Sequence, residues 1–185
     1  MTKTIIGAIV GGLLIFIWQF LSWTMINNHN AAMKYTPKQD SILAYLNSQF
    51  SEDGSYLIPR TPDGASMEEC KKLMQNSIGQ PWAQVSYHKA KKDNMGSAMA
   101  RNLIVNIIAI WLFCWILSGI TVNTFGKTFL AAVFTGLIIF LMGPYVMHIW
   151  YETPDIAAHL ADYLISWALV GIWLGWWVNR KPRTP

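Results

Sequence analysis

The sequence predicts an all-α membrane protein with four transmembrane helices and a small α+β extracytoplasmic cap between spans 1 and 2. Three observations lead there. Residues 102–148 contain two apolar runs, about 103–122 and 128–147, broken by the short polar joint Asn123-Thr124-Phe125-Gly126-Lys127. Each run is near the roughly 20 residues that a helix needs to cross the hydrocarbon core, and neither alternates apolar and polar residues as a strand would. Similar apolar stretches lie near both ends of the chain, at 4–23 and 157–178. Finally, 13% of the 185 residues are charged and 53% hydrophobic, against about 25% charged in ordinary soluble domains.

The first span is 4–24. Lys3 followed by an apolar stretch also opens a signal peptide, but no clean small-x-small cleavage site follows, so a retained anchor is expected. Gly7 and Gly11, four residues apart, let another helix backbone approach closely. Gln19 and Ser22 are polar and are expected to face other helices rather than lipid.

Residues 25–100 are the one long polar region. Thr36-Pro37-Lys38-Gln39 supplies an N-cap, a proline at the first helical position and a glutamine at the third. That predicts a helix over 37–49 with Ile42, Leu43, Leu46 and Phe50 on one stripe. Asp53-Gly54 is a turn, and Ser55–Ile58 a short strand ended by Pro59. Ser66-Met67-Glu68-Glu69 is a second capping box, opening a helix over 67–77 that Gly79 can close. Residues 82–88 read as a strand that can pair with 55–58.

The chain re-enters the membrane near Met99, and the second span covers 102–122. Asn106 falls about one turn inside it, where an amide needs a hydrogen-bond partner. The third span, 128–147, meets Gly143-Pro144, which can kink or end it. The fourth, 157–178, repeats the glycine spacing at Gly171 and Gly175, and a basic tail, 179–185, follows. Lys3, Lys127, Arg180, Lys181 and Arg183 all fall on one face, while the short loop on the other carries only Glu152 and Asp155. The preference of positive residues for the cytoplasm then places both termini inside and 25–100 outside. That region holds eight Lys and Arg, but loops beyond about 60 residues largely escape the rule.

Composition excludes several chemistries. The lysines are scattered rather than striped with aromatics, so no nucleic-acid partner is expected. Ten Trp suit the two membrane–water interfaces. Cys70 and Cys114 form no disulfide framework, and no Gly-x-Ser-x-Gly turn or phosphate loop occurs. No histidine lies mid-span, which argues against haem. One constellation remains: His148 and Glu152 are four apart, as are Asp155 and His159, and Asp162 follows three later. If the third helix runs on a turn and the fourth starts early, His148, Glu152, His159 and Asp162 could share a face and suit zinc or a similar divalent ion. Asp162 is the most informative of these, because a carboxylate inside a span is costly and often functional.

The segments Gly11–Trp23, Gly54–Pro59 and Gly79-Gln80-Pro81 resemble those of a group of small uncharacterised bacterial four-span integral membrane proteins. The resemblance implies a bacterial cytoplasmic (inner) membrane and supplies no activity. The expectation is a non-enzymatic accessory or assembly subunit with no cofactor. Its partners would be the bilayer and other membrane-protein subunits, or further copies of itself, meeting its glycine-lined faces. A metal-dependent membrane enzyme near the outer leaflet is the first alternative. A small oligomeric transporter, with Gln19, Asn106 and Asp162 along a polar path, is the second.

Overall fold

A computed structural model describes residues 2–120 and 124–180. Asn123 of the polar joint, the end of the second span at 121–122, and Lys181 and Arg183 of the basic tail lie outside the described residues. In chain order the elements are α1 (Thr2–Phe20), α2 (Gln39–Gln49), β1 (Gly54–Ile58), α3 (Met67–Ser77), β2 (Ala83–Tyr87), α4 (Met95–Ser118), α5 (Phe125–Phe140), α6 (Val146–Tyr151) and α7 (Ile156–Asn179). They fall into two compact units, Met1–Lys34 with Asn94–Pro185, and Tyr35–Asp93.

The first unit holds the four helical stretches long and apolar enough to cross a membrane, Thr2–Met25, Met95–Ser118, Phe125–Tyr151 and Ile156–Asn179. Two of them contain an irregular turn. α1 ends in a π turn at Leu21–Met25, and a second π turn at Leu141–Tyr145 contains Pro144. A proline inside a helix removes one N–H and its ring clashes with the preceding turn. The wider π turn accommodates both effects, so Gly143-Pro144 does not end the helix and α5 runs on into α6.

In this unit α4 packs on α1, α1 on α7, and α7 on α5. In a bilayer, where lipid tails are as apolar as leucine, such contacts would depend on close packing at small residues. Gly7 faces Leu174 and Trp177, Gly11 faces Ile110, Gly171 packs on Phe129 and Ala132, and Gly175 on Phe125. At Gly12 the approach is to a backbone: a Cβ there would fall 2.7 Å from the backbone of Ile107. Ile110, Val170 and Leu174 are fully buried between the helices. Midway along, Phe113 of α4 and Trp167 of α7 meet edge to face, with centroids 5.3 Å apart.

The second unit is a two-stranded antiparallel sheet, β1 against β2 with Tyr56 opposite Val85; α2 precedes β1 and α3 connects the two strands. Phe50 stacks on Tyr56 at 3.8 Å and meets Tyr87 edge-on. The Tyr87 hydroxyl donates to Asn47 Oδ1 at 2.6 Å. α2 begins at Gln39, two residues later than its sequence signal. The Thr36 hydroxyl accepts from Lys38 N–H in a local turn, and Lys38, the N-cap, makes no side-chain cap bond. Such short-range side-chain bonds compete with helix initiation.

At α3 the capping box forms as its sequence requires: Ser66 Oγ accepts from Glu69 N–H and Glu69 accepts from Ser66 N–H. Those bonds hold the Glu69 carboxyl below its usual range, Ser66 N–H having the largest effect. This contribution is therefore present above the unfolded carboxylate pKa and is lost as pH falls through the lower folded value. Ser66→Ala should cost α3 about 1 kcal/mol. The expected result is faster amide exchange over residues 67–70 in the full-length protein, with less acid sensitivity there than in the wild type.

Candidate metal centre

The site lies where α1 ends and α7 begins. After the π turn, Asn27 adopts a left-handed conformation, φ 56°, which asparagine tolerates better than most residues. The chain reverses there. Asn28 N–H then donates to Ser22 carbonyl at 3.1 Å, and Asn28 Nδ2 to Ser22 Oγ at 3.2 Å. The reversal lays the imidazole of His29 flat on Trp23, with ring centroids 3.9 Å apart and planes at 8°.

The other half comes from α7. Asp155 immediately precedes the helix, and His159 and Asp162 follow at four and seven residues, a spacing that puts all three on one face. His29 is inserted between the two carboxylates, with Nδ1 2.6 Å from Asp155 Oδ2 and Nε2 3.0 Å from Asp162 Oδ2. The His29 side chain is 0% exposed and that of Asp155 4%. His159 Nε2 lies 3.4 Å from the same Asp155 oxygen. Asp162 is itself held: its Oδ1 accepts from Ser22 Oγ at 2.5 Å and from Trp18 Nε1 at 3.1 Å. Among the described residues, no buried side-chain nitrogen or oxygen lacks a partner.

Burial is the largest single influence on His29 and opposes its charged form. The hydrogen bonds to Asp155 and Asp162, with the charges of both, outweigh it and raise the pKa above the ordinary imidazole value. A ligating imidazole nitrogen must be unprotonated, so a cation bound there would have to displace the proton that His29 shares with the two carboxylates.

Ligand atoms of His29, Asp155 and His159 lie within 4.8 Å of one another. Tetrahedral zinc, with bonds of about 2.0–2.2 Å, sets its ligand atoms roughly 3.3 Å apart. The 3.4 Å between Asp155 and His159 already matches. His29 and Asp155 would open slightly and the two imidazoles close up. His29 Nδ1 would then be the ligand, leaving Nε2–H donating to Asp162, the carboxylate–histidine arrangement that fixes tautomer and ring orientation around bound metals. Two imidazoles and one carboxylate leave a fourth position open.

Of the four residues read from the sequence as ligands, His159 is in this group and Asp162 is one shell out. His148 and Glu152 are elsewhere. The helix does continue to Tyr151, but Glu152 takes a left-handed conformation, φ 45°, and turns the chain away. His148 Nδ1 donates to Thr153 carbonyl at 3.0 Å. Glu152→Gly removes the backbone cost of that conformation, about 1–2 kcal/mol. The expected result is a higher melting temperature with unchanged metal content, measured on one preparation. His29, Asp155 and Trp18 were not in the sequence-derived set; the available signal was the helical spacing of Trp18 and Ser22, which put a donor pair on one face of α1.

Beside the centre is a half-open cavity of about 580 Å3. α1 contributes Phe16, Phe20 and Trp23 to its walls, and α4 contributes Met95 and Met99, while His159 and Asp162 form part of the α7 wall. In the α1–α4 interface Gln19 Oε1 accepts from Asn106 Nδ2 at 2.9 Å and from Asn102 Nδ2 at 3.1 Å. Gln19 and Asn102 also line the cavity.

Comparison with family models, curated proteins and solved structures gives no match to this chain.

Proposed function

We propose that this chain is a metal-dependent membrane enzyme of the bacterial inner membrane. In this reading both termini are cytoplasmic and the centre lies near the outer leaflet. The observation that carries the reading is the His29–Asp155–His159 cluster, with His29 and Asp155 buried and His159 partly exposed, backed by Asp162 and lying beside a cavity. A bound zinc or similar divalent ion would act as a Lewis acid on a substrate carbonyl or phosphoryl oxygen, or ionise a bound water.

The chain's own residues take distinct parts. His29, Asp155 and His159 hold the ion. Asp162 fixes the His29 ring, and its oxygens are occupied by Ser22, Trp18 and His29, so it positions a ligand rather than moving a proton. Trp23 shields His29 from solvent. In the accessory reading, partner subunits would meet glycine-lined faces; Gly7, Gly11, Gly171 and Gly175 pack against this chain's own helices.

Isothermal titration of zinc into full-length protein in lipid nanodiscs tests the assignment. One site per chain is expected, lost in Asp155→Asn and weakened about 10–100-fold in Asp162→Asn, as for an outer-shell partner. Equal binding by all three proteins would overturn it.

A further inference from the structure

We infer that the cavity beside the metal centre binds a glycerophospholipid through the ester-carbonyl region of one acyl chain. That lipid would be the substrate presented to the centre, a role that rests on the metal-dependent reading; the binding itself does not. The cavity lies within the span-forming stretches of three helices, α1, α4 and α7. α4 and α7 touch at Phe113 and Trp167, and Met95, Met99 and Asn102, which line the cavity, lie toward the start of α4. At about 580 Å3 it is within the range that takes a small-molecule ligand.

Its chemistry is divided. Phe16, Phe20, Met95 and Met99 make an apolar wall suited to methylenes. Gln19 spends its oxygen on Asn102 and Asn106, and its Nε2 donates to no protein group among the described residues. Gln19 is partly exposed and lines the cavity; with the cavity filled from the bilayer, its amide N–H would need an acceptor that hydrocarbon does not supply. An ester carbonyl with an acyl chain attached meets both halves. Asp162 and His159 on the α7 wall then face the polar end of the same molecule, beside the proposed ion. A water-soluble substrate would match neither the methionine and phenylalanine wall nor the location within the spans.

The test uses full-length protein in nanodiscs containing a phosphatidylethanolamine with a photoreactive diazirine near the ester end of one chain. Crosslinked residues are located by mass spectrometry, and zinc is measured on the same samples. Labelling is expected to concentrate on Phe16–Thr24 and Met95–Asn102, in excess over the lipid-facing residues Leu130, Phe134 and Ile138 of α5. Met99→Trp, which fills the cavity, should reduce that labelling at least fivefold with zinc content unchanged. Gln19→Leu should shift the labelled positions away from residue 19 without lowering zinc. Uniform labelling of all helices, unaffected by Met99→Trp, would overturn the lipid site whatever the zinc content. Concentrated labelling without zinc would support the lipid site and remove its link to the metal centre.

Discussion

Replacing His29 with Ala should abolish stoichiometric zinc binding and lower the stability of the membrane unit by about 3–5 kcal/mol. The size follows from what remains. Asp155 and Asp162 approach the same imidazole at 2.6 and 3.0 Å, and Asp155 is almost wholly buried. Without His29, Asp155 and Asp162 each lose the imidazole partner of one carboxylate oxygen, and Trp23 loses its stacking partner. Removing one member of a buried charge group costs far more than the group contributes net, because the remaining charge is uncompensated. The effects can be separated: the triple variant His29→Leu, Asp155→Asn, Asp162→Asn should recover much of the stability but none of the metal. Thermal unfolding in one detergent, with elemental analysis, checks both.

The second large effect is expected at Gly12. A methyl there would lie 2.7 Å from the Ile107 backbone, and a backbone cannot rotate aside as a side chain can. α1 and α4 must separate, and overpacking of this kind costs about 1–3 kcal/mol. Separation would also misalign Gln19 with Asn102 and Asn106 along the same interface. Gly12→Ala should therefore lower the melting temperature and open the cavity. Gly126→Ala is the matched control, since a methyl there meets nothing within 4 Å, and it should leave stability unchanged or slightly raised.

The helices were legible in the sequence because span length and apolarity are summed over about twenty residues and tolerate local error. The capping box at Ser66 was legible because it depends on neighbours in sequence, and the strands 54–58 and 83–87 because each is a short run bounded by turn residues. So were the close glycine contacts, although not which helix each glycine meets. The π turns were not legible: hydropathy does not register one extra residue per turn, so Pro144 read as a kink or an end. The candidate metal centre was half legible. Asp155, His159 and Asp162 share helical spacing, and His159 and Asp162 are among the ligands that the sequence suggests. His29 was not, because its place depends on a single left-handed residue, Asn27, and on partners 126 and 133 positions away. Glu152 was misplaced for the same kind of reason, a left-handed residue that hydrophobic patterning cannot foresee.

The most direct measurement is zinc K-edge X-ray absorption on the full-length protein in nanodiscs, loaded with one equivalent of zinc. The expected spectrum is a four-coordinate shell of nitrogen and oxygen at about 2.0–2.2 Å. It should carry the outer-shell scattering of two imidazoles, falling to one in His159→Ala. A shell that is the same in wild type, His29→Ala and His159→Ala, or zinc that is not retained at one per chain, would contradict a metal centre at His29, Asp155 and His159.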